Sequence, residues 1–161
     1  MRILGIDPGF AITGFSVIDY QGNKFKLVTS GAILTEAHTS FPLRLEKIHD
    51  ELNDIITKFK PEAMAIEELF FNNNAKTAIN VAQARGVLLV TAKMNNIPIY
   101  EYTPLQVKQA VVGYGRADKV QVQRMIKMIL NEENLPKLDD TTDSMAMAIC
   151  HAHSYRFVKS L

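Results

Sequence analysis

Two apolar segments of the chain end in acidic residues whose carboxylates could do chemistry. Asp7 follows residues 3–6 and precedes a Pro-Gly pair, while Glu67 and Glu68 follow residues 63–66. A carboxylate that enters a buried strand end must be paired, hydrogen-bonded or coordinated, because isolation in apolar surroundings is costly. Taken alone, Asp7 is better explained as the first residue of a β-turn. Its chemical interest therefore depends on what the rest of the chain places beside it.

A third acidic group opens a strongly apolar segment close to the end of the chain. Asp140 and Asp143 are three residues apart, which would place both carboxylates on one face of a helix. The same pattern has an ordinary explanation, with Asp139 or Asp140 as an N-cap and Asp143 as a first-turn acid favoured by the helix dipole. Only in combination with the two strand-end acids does it indicate a site.

The combination would bring four carboxylates within reach of one another. Such a cluster repels itself and raises the pKa of its members unless a cation neutralises it. A hard divalent ion takes oxygen ligands, and the cluster contains no Cys or His, so we expect Mg²⁺ or Mn²⁺ rather than Zn²⁺. Successive strand residues point to opposite faces, so only one of Glu67 and Glu68 can join Asp7. Periodicity does not choose between them.

The elements that must position these acids follow from hydrophobic periodicity. Short runs rich in β-forming residues predict strands at 2–7, 11–20, 24–34, 63–70 and 97–103. Helices are predicted at 40–60, 75–95, 105–111, 119–130 and 138–151. Short turns join the first three strands, which predicts an antiparallel meander. The fourth strand is fully apolar and follows a helix, which indicates a parallel central strand.

Gly14 lies in the middle of the second predicted strand, which would return alongside Asp7. Glycine at such a position usually marks a bulge or a close approach of another backbone. A substrate backbone passing there and a closely packed neighbouring element are equally good explanations.

Composition predicts one globular domain, spanning residues 1–161, with 47% hydrophobic and 22% charged residues. No apolar run approaches the length of a membrane span and no basic segment precedes an apolar stretch, so we expect a cytoplasmic protein without a membrane partner. Cys150 is the single cysteine and is expected to be a small core residue in a helix. His151 and His153 are expected to be surface or hydrogen-bonded histidines.

One segment of the chain is strongly basic although the whole chain has a net charge of only +1. Between Tyr102 and Leu130, Asp118 is the single acid. The basic residues there are Lys108, Arg116, Lys119, Arg124 and Lys127. Such segregation indicates a polyanionic partner, although a solvated helix face can produce it by chance. Tyr114 lies within the segment as a candidate stacking residue.

Five motifs, in order along the chain, closely resemble the RuvC family of Holliday junction resolvases. They are Ile3-Leu4-Gly5-Ile6-Asp7-Pro8-Gly9, Ala65-Ile66-Glu67-Glu68, Gln83-Ala84-Arg85-Gly86, Val107-Lys108-Gln109, and Asp140-Thr141-Thr142-Asp143 with Ala146-Met147-Ala148-Ile149-Cys150-His151. The resemblance spans nearly the whole chain. It implies a ribonuclease H-like α/β fold, in which the five predicted strands form a mixed sheet with helices on both faces. It also implies a homodimer that nicks four-way DNA junctions symmetrically, with RuvA and RuvB as partners in branch migration.

The resemblance also assigns residues. Its four acidic positions fall on Asp7, Glu67, Asp140 and Asp143, which selects Glu67 over Glu68. Its two basic positions fall on Lys108 and Lys119, and the aromatic of its substrate-opening loop falls on Phe70, with Phe71 beside it as an alternative wedge. The cofactor implied is Mg²⁺, two ions per site, with Mn²⁺ as a substitute.

These assignments predict a hydrolysis that needs no covalent nucleophile. Two ions about 4 Å apart, bridged by a carboxylate such as Asp7, would activate a water and stabilise the leaving oxygen. Lys119 would neutralise charge developing on the phosphate, while Lys108 and Arg116 hold the DNA backbone.

Two other classes of protein share parts of the pattern. An actin-like ATPase also begins with an Asp-Pro-Gly strand and a hairpin, but it needs two copies of the fold, and this chain has length for one. A catalytically inactive nucleic-acid-binding module would have no use for four carboxylates near a phosphate.

The helix predicted at 75–95 is the expected dimer interface. Ala78, Ala82 and Ala92 permit close approach, and the apolar residues of this helix lie on more than one face. A closed pair would supply two active sites for two symmetric cuts. The alternative is a helix buried on two sides within one monomer.

Overall fold

A mixed five-stranded sheet carries the two strand-end acids. The computed structural model describes residues 1–68 and 75–155. The strands are β1 (Arg2–Asp7), β2 (Ile12–Gln21), β3 (Lys24–Leu34), β4 (Ala63–Glu67) and β5 (Ile99–Tyr102), in the spatial order β3-β2-β1-β4-β5. β1, β2 and β3 form an antiparallel meander, and β4 and β5 continue the sheet in parallel with β1. The predicted mixed sheet is confirmed, and its fourth strand ends at Glu67.

Helices cover both faces of the sheet, as predicted. They are α1 (Phe41–Phe59), α2 (Ala75–Met94), α3 (Pro104–Val112), α4 (Lys119–Leu130) and α5 (Asp139–Ser154). α3, α4 and α5 share one apolar core with the sheet, and α1 and α2 share the other. Within residues 1–68 and 75–155, no helix is long and apolar enough to cross a membrane.

The alternation of side chains along the strands divides the core in two. On β1, Ile3 packs on the side of α5, whereas Leu4 and Ile6 pack on the side of α1 and α2. On β4, Ala65 faces α5 and Ile66 faces the opposite side. Asp7 lies two positions after Gly5 on β1, and Glu67 lies two positions after Ala65 on β4. Because side chains alternate along a strand, both acids are directed towards α5.

Helix α2 keeps large apolar side chains in contact with solvent. Ile79, Val90 and Met94 are each more than half exposed, at 59%, 51% and 69%. The alternative for this helix was burial on two sides within one monomer. These three side chains are therefore not covered in that way. Ala92 is fully buried in the monomer core, so the expectation that it permits approach of a partner is wrong. On the outer face, a Cβ added at Gly86 would meet no atom within 4 Å.

Cys150 and the two histidines near the end of α5 are each buried or hydrogen-bonded. Cys150 is fully buried, which confirms its predicted core role. His151 is also buried, and its Nδ1 lies 2.8 Å from the hydroxyl oxygen of Tyr102 in a hydrogen bond. His153 is exposed and its Nδ1–H donates to the carbonyl oxygen of Ala110 at 3.0 Å.

We predict that acidification destabilises the fold through His151. Burial lowers the pKa of His151 to about 4, so the unfolded chain, whose histidines titrate near the ordinary value, binds more protons between about pH 6.5 and pH 4. Stability is thus present above the unfolded pKa and is lost as pH falls. Between about pH 7.5 and pH 5 this one group should lower the free energy of unfolding by about 2 kcal/mol.

Urea unfolding at both pH values measures the effect in wild type, His151→Gln and His153→Gln. His151→Gln should remove most of the pH-dependent loss, since glutamine does not titrate. His153→Gln, which changes an exposed histidine on the same helix, should retain it. Equal pH dependence in wild type and His151→Gln would show that His151 does not carry the effect.

Candidate active site

The parallel pairing of β1 and β4 brings Asp7 and Glu67 side by side. Ile6 and Ile66 are opposite one another in the ladder, and each acid follows directly. Both acids lie on the α5 side of the sheet, where they line one cavity. Glu68 lies beyond the strand end, and its charge acts instead on Arg85 of α2. The sheet register therefore selects Glu67 as the companion of Asp7, in agreement with the sequence-based assignment.

The first turn of α5 reaches these acids because its backbone rests on the sheet. A Cβ at Gly14 would collide with the carbonyl group of Asp140, and a Cβ at Gly5 would collide with that of Ser144. Gly14 is paired with Asp7 across β1 and β2. Of the two explanations for Gly14, close packing of a neighbouring element is therefore the correct one within this chain.

The alternative explanation of the acids at the start of α5, an acidic N-cap, does not apply. The N-cap residue is Leu138, and no side chain makes a capping hydrogen bond there. Asp139 instead pairs with Lys119, with 2.9 Å between its Oδ2 and the lysine Nζ. Asp143 lies 3.8 Å from the same Nζ. Sequence reasoning missed this role of Asp139, although its spacing of four residues from Asp143 would have placed both on one helix face.

A cavity of about 290 Å³ joins the predicted acids to two predicted lysines. It is lined by Asp7, Glu67, Pro104, Val107, Lys108, Lys119, Val122, Asp143, Ala146 and Met147. Asp140 is not part of this lining, but its charge reaches Asp7. The structure thus brings three of the four predicted acids to one cavity, and the fourth, Asp140, is not among its lining residues.

The ionised forms of the acids in this cavity are disfavoured, so their pKa values are raised. Burial raises the pKa of Asp7 to about 8; the charges of Glu67, Asp143 and Asp140 add to the rise, and the Lys119 ammonium opposes it. The pKa of Glu67 is raised by burial and then by Asp143. Burial also raises the pKa of Asp143, against the nearby Lys119. Several partly buried carboxylates thus favour any group that brings positive charge into the cavity.

The donor chemistry of the cavity suits a hard divalent cation, since its acidic groups offer only oxygen ligands. Within residues 1–68 and 75–155, however, no group of three or more Asp, Glu, His or Cys side chains is arranged so that it could hold a metal ion. The backbone places the acids at one site, and cation binding would require their side chains to turn towards one another.

The other predicted DNA-binding residues lie outside this cavity. Arg116 and Tyr114 line a second groove, of about 710 Å³, together with Leu105 and His153. Arg116 thus lines a different groove from Lys108 and Lys119. Phe70, like the alternative wedge Phe71, lies outside the described residues.

Comparison with known proteins gives a consistent set of matches. Residues 3–151 match the model of the family described as crossover junction endodeoxyribonuclease RuvC. A protein of that name from Alkaliphilus metalliredigens is 56% identical over 157 residues, which are 98% of this chain and 96% of the relative. A second, from Clostridioides difficile, is 52% identical over 161 residues, which are 100% and 95% of the two chains.

A solved structure is similar throughout. The structure of T. thermophilus RuvC in complex with a Holliday junction substrate superposes with a TM-score of 0.95 at 34% identity, covering 100% of this chain and 99% of that chain. The yeast mitochondrial resolvase Ydc2, at 15% identity and a TM-score of 0.66, shares the fold.

We predict that Gly14→Ala destabilises the protein and disturbs the acidic cavity together. The added methyl group would overlap the backbone of α5 at Asp140, and such overpacking costs about 1–3 kcal/mol. Urea unfolding measures the loss. Gly86→Ala, which adds the same group in open space on α2, is the matched control at protein concentrations where both variants are monomeric, and should change the free energy of unfolding by no more than about 1 kcal/mol. Equal stability of the two variants would remove Gly14 as the contact that seats α5.

Proposed function

The chain belongs to the RuvC family of crossover junction endodeoxyribonucleases. We propose that it resolves four-way DNA junctions by paired symmetric nicks, and we assign a role in this reaction to individual residues. The main support is that three acids from different elements line one cavity: Asp7 of β1, Glu67 of β4 and Asp143 of α5. Lys108 and Lys119 line the same cavity. The fold and the family support the same ribonuclease H-like enzyme of DNA recombination and repair.

Two Mg²⁺ ions per site, for which Mn²⁺ would substitute, are the proposed cofactor. Asp7, Glu67, Asp140 and Asp143 would hold them, since their carboxylates supply oxygen ligands and their mutual repulsion is relieved by added positive charge. When bound, such ions activate a water and stabilise the leaving oxygen of a phosphodiester.

The basic residues have separate proposed tasks. Lys119, already within 3.8 Å of Asp143, would neutralise negative charge that develops on the phosphate. Lys108 on the cavity wall and Arg116 in the second groove would bind the DNA backbone on either side. Phe70 remains the proposed wedge that opens the junction.

The two alternative functions lack a comparable observation. An inactive nucleic-acid-binding module would place buried acids, which repel phosphates, beside its basic groups. An actin-like ATPase would need a second copy of the fold to enclose its nucleotide. ATP hydrolysis without DNA cleavage would support the ATPase, and junction binding without cleavage would support the inactive module.

Incubation of the protein with a synthetic four-way junction and Mg²⁺ tests the proposed function. We expect paired nicks on opposing strands and no cleavage in chelator. Absence of cleavage, or equal cutting of a linear duplex of the same sequence, would contradict it.

The same assay tests the acids individually. Asp7→Asn, Glu67→Gln, Asp140→Asn and Asp143→Asn should each lower the cleavage rate by at least about hundredfold, the upper end of what loss of an outer-shell partner costs. Junction binding should survive or tighten, because each change removes a repulsive charge. Glu68→Gln is the matched control and should have a mild effect. Any of the four that retains the wild-type rate does not belong to the site.

The lysines should affect the salt dependence of binding. Lys108→Ala and Lys119→Ala should each reduce the slope of log affinity against log salt by about 0.9 on duplex DNA, since each removes one phosphate contact. Fluorescence anisotropy with a labelled junction over a range of salt measures the slope. An unchanged slope in both variants would place these lysines away from the backbone of the DNA.

We further propose a two-fold homodimer that uses the outer face of α2. The described residues of one monomer form one acidic cavity, whereas symmetric nicking needs two. The exposed Ile79, Val90 and Met94 supply an apolar stripe, and the open space at Gly86 permits close approach. RuvA and RuvB, as branch-migration partners, and a cytoplasmic location are proposed from the family alone.

Val90→Asp should weaken the proposed dimer by at least about tenfold, since a buried unpaired carboxylate costs more than about 1.4 kcal/mol. Sedimentation at micromolar concentration measures the mass. Leu43→Asp changes an equally exposed apolar residue on α1, 54% exposed, and should remain dimeric. A monomeric wild type would contradict the dimer, and a dimeric Val90→Asp would move the interface elsewhere.

A further inference from the structure

Arg85 of α2 carries a buried positive charge behind the active site. The residue is only 9% exposed and lies in the layer between α2 and the sheet, on the face opposite the acidic cavity. Its sequence motif, Gln83 to Gly86, has no task in the reaction described above. Burial of a guanidinium is costly unless charged and hydrogen-bonding partners surround it. The identity of its partners therefore indicates why it is there.

All the described partners of Arg85 lie at the ends of the two parallel strands β4 and β5. Its Nε–H donates to the backbone carbonyl oxygen of Glu67 at 3.3 Å. Its guanidinium forms an ion pair with Glu101 of β5, which is opposite Ile66 in the ladder. The charge of Glu68 also acts on it: burial lowers the pKa of Arg85, and the Glu68 carboxylate opposes that shift.

These contacts hold the backbone of Glu67, whose side chain lines the acidic cavity on the opposite face of the sheet. Glu67 is the last residue of β4, and just beyond it the Glu68 N–H donates to the carbonyl oxygen of Tyr102 in β5 at 3.0 Å. Backbone hydrogen bonds thus join this strand end to β5, whereas the Arg85 side chain joins it to α2 as well. A planar guanidinium presents donors in several fixed directions. One side chain can therefore hold the Glu67 carbonyl and the neighbouring strand at the same time, which fixes where the Glu67 carboxylate begins.

We propose that Arg85 is a positioning residue for Glu67, anchoring the end of β4 to β5 and α2 so that the Glu67 carboxylate is held in the acidic cavity. The inference rests on the proposed function, because it assigns Arg85 to the same site without contact with substrate. Partners that hold a metal-binding side chain in place commonly contribute about ten- to hundredfold to metal affinity or activity. Glu101 has the supporting task of keeping the guanidinium in place.

Arg85→Lys tests the proposal. The lysine keeps the charge, but its compact ammonium cannot reproduce the fork that serves both Glu67 and Glu101. We expect the cleavage rate at saturating junction to fall about ten- to hundredfold, and the Mg²⁺ concentration for half-maximal rate to rise. Junction affinity in chelator should stay within about twofold of wild type, since Arg85 lies away from the basic groups. Calorimetric titration with Mn²⁺ in the absence of DNA should show weaker binding.

Arg44→Lys is the matched control for a loss of stability alone. Arg44 is also 9% exposed; its Nε–H donates to Thr35 Oγ1 at 2.8 Å, and its guanidinium stacks on Phe10. Its substitution should lower the free energy of unfolding without changing the Mg²⁺ requirement. Glu101→Gln, which removes the ion pair but keeps the shape, should shift the Mg²⁺ requirement in the same direction as Arg85→Lys and provides the test if Arg85→Lys does not fold.

Different outcomes test the role of Arg85 and the proposed junction cleavage. If wild type does not cleave junctions, the proposed function fails. If wild type cleaves and both Arg85→Lys and Glu101→Gln keep its rate and Mg²⁺ requirement, the role of Arg85 is overturned. It is also overturned if junction affinity falls in proportion to the rate, or if Arg44→Lys raises the Mg²⁺ requirement equally, because either result would show a general effect on the fold.

Discussion

The partial burial of several carboxylates at one cavity is the constraint on which this structure depends. Burial is the first cause of the raised pKa of Asp7, Glu67 and Asp143; neighbouring acids add to it at Asp7 and Glu67, and Lys119 opposes it at Asp143. The framework fixes where these carboxylates begin, although their side chains can still turn. Two adjacent parallel strands fix the first two acids, and α5, lying directly on the sheet at Gly14, fixes the third. Stability given up at the cavity is the usual cost of a site prepared for a charged ligand.

The surrounding positive charge makes such a cavity compatible with DNA. Lys119 lies among the acids, paired with Asp139 and near Asp143, while Lys108 forms part of the cavity wall. Arg116 lies in a second groove. Phosphate contacts position a nucleic acid and supply salt-dependent affinity, so basic groups at two places around one acidic centre can orient a backbone across it.

Periodicity and turn residues were sufficient to predict the strands, their antiparallel meander and the helices, because most of these elements have an apolar face of the appropriate period. The mixed sheet with helices on both faces was implied by the family resemblance. The site was less accessible. Only the ladder register shows that Glu67 rather than Glu68 lies beside Asp7, and the family resemblance was needed to select it from sequence. The neighbour of Gly14 could not be predicted, since residues more than a hundred positions apart meet there. The acidic N-cap that was the alternative for α5 does not form, and Asp139 pairs with a lysine on another helix. The burial of Arg85 beside Glu101 likewise depends on tertiary packing.

Thermal unfolding of wild type and Asp7→Asn, with and without Mg²⁺, tests most directly whether the fold confines mutually repelling acids for a cation. At about pH 8.5, above the raised pKa of Asp7, which is about 8, the carboxylate is largely charged. In chelator we expect Asp7→Asn to unfold at a higher temperature than wild type, because it removes a buried charge. Addition of Mg²⁺ should raise the unfolding temperature of wild type more than that of the variant, since a ligand stabilises only the state that binds it. A less stable Asp7→Asn in chelator, or an equal Mg²⁺ shift in both proteins, would contradict this explanation of the structure.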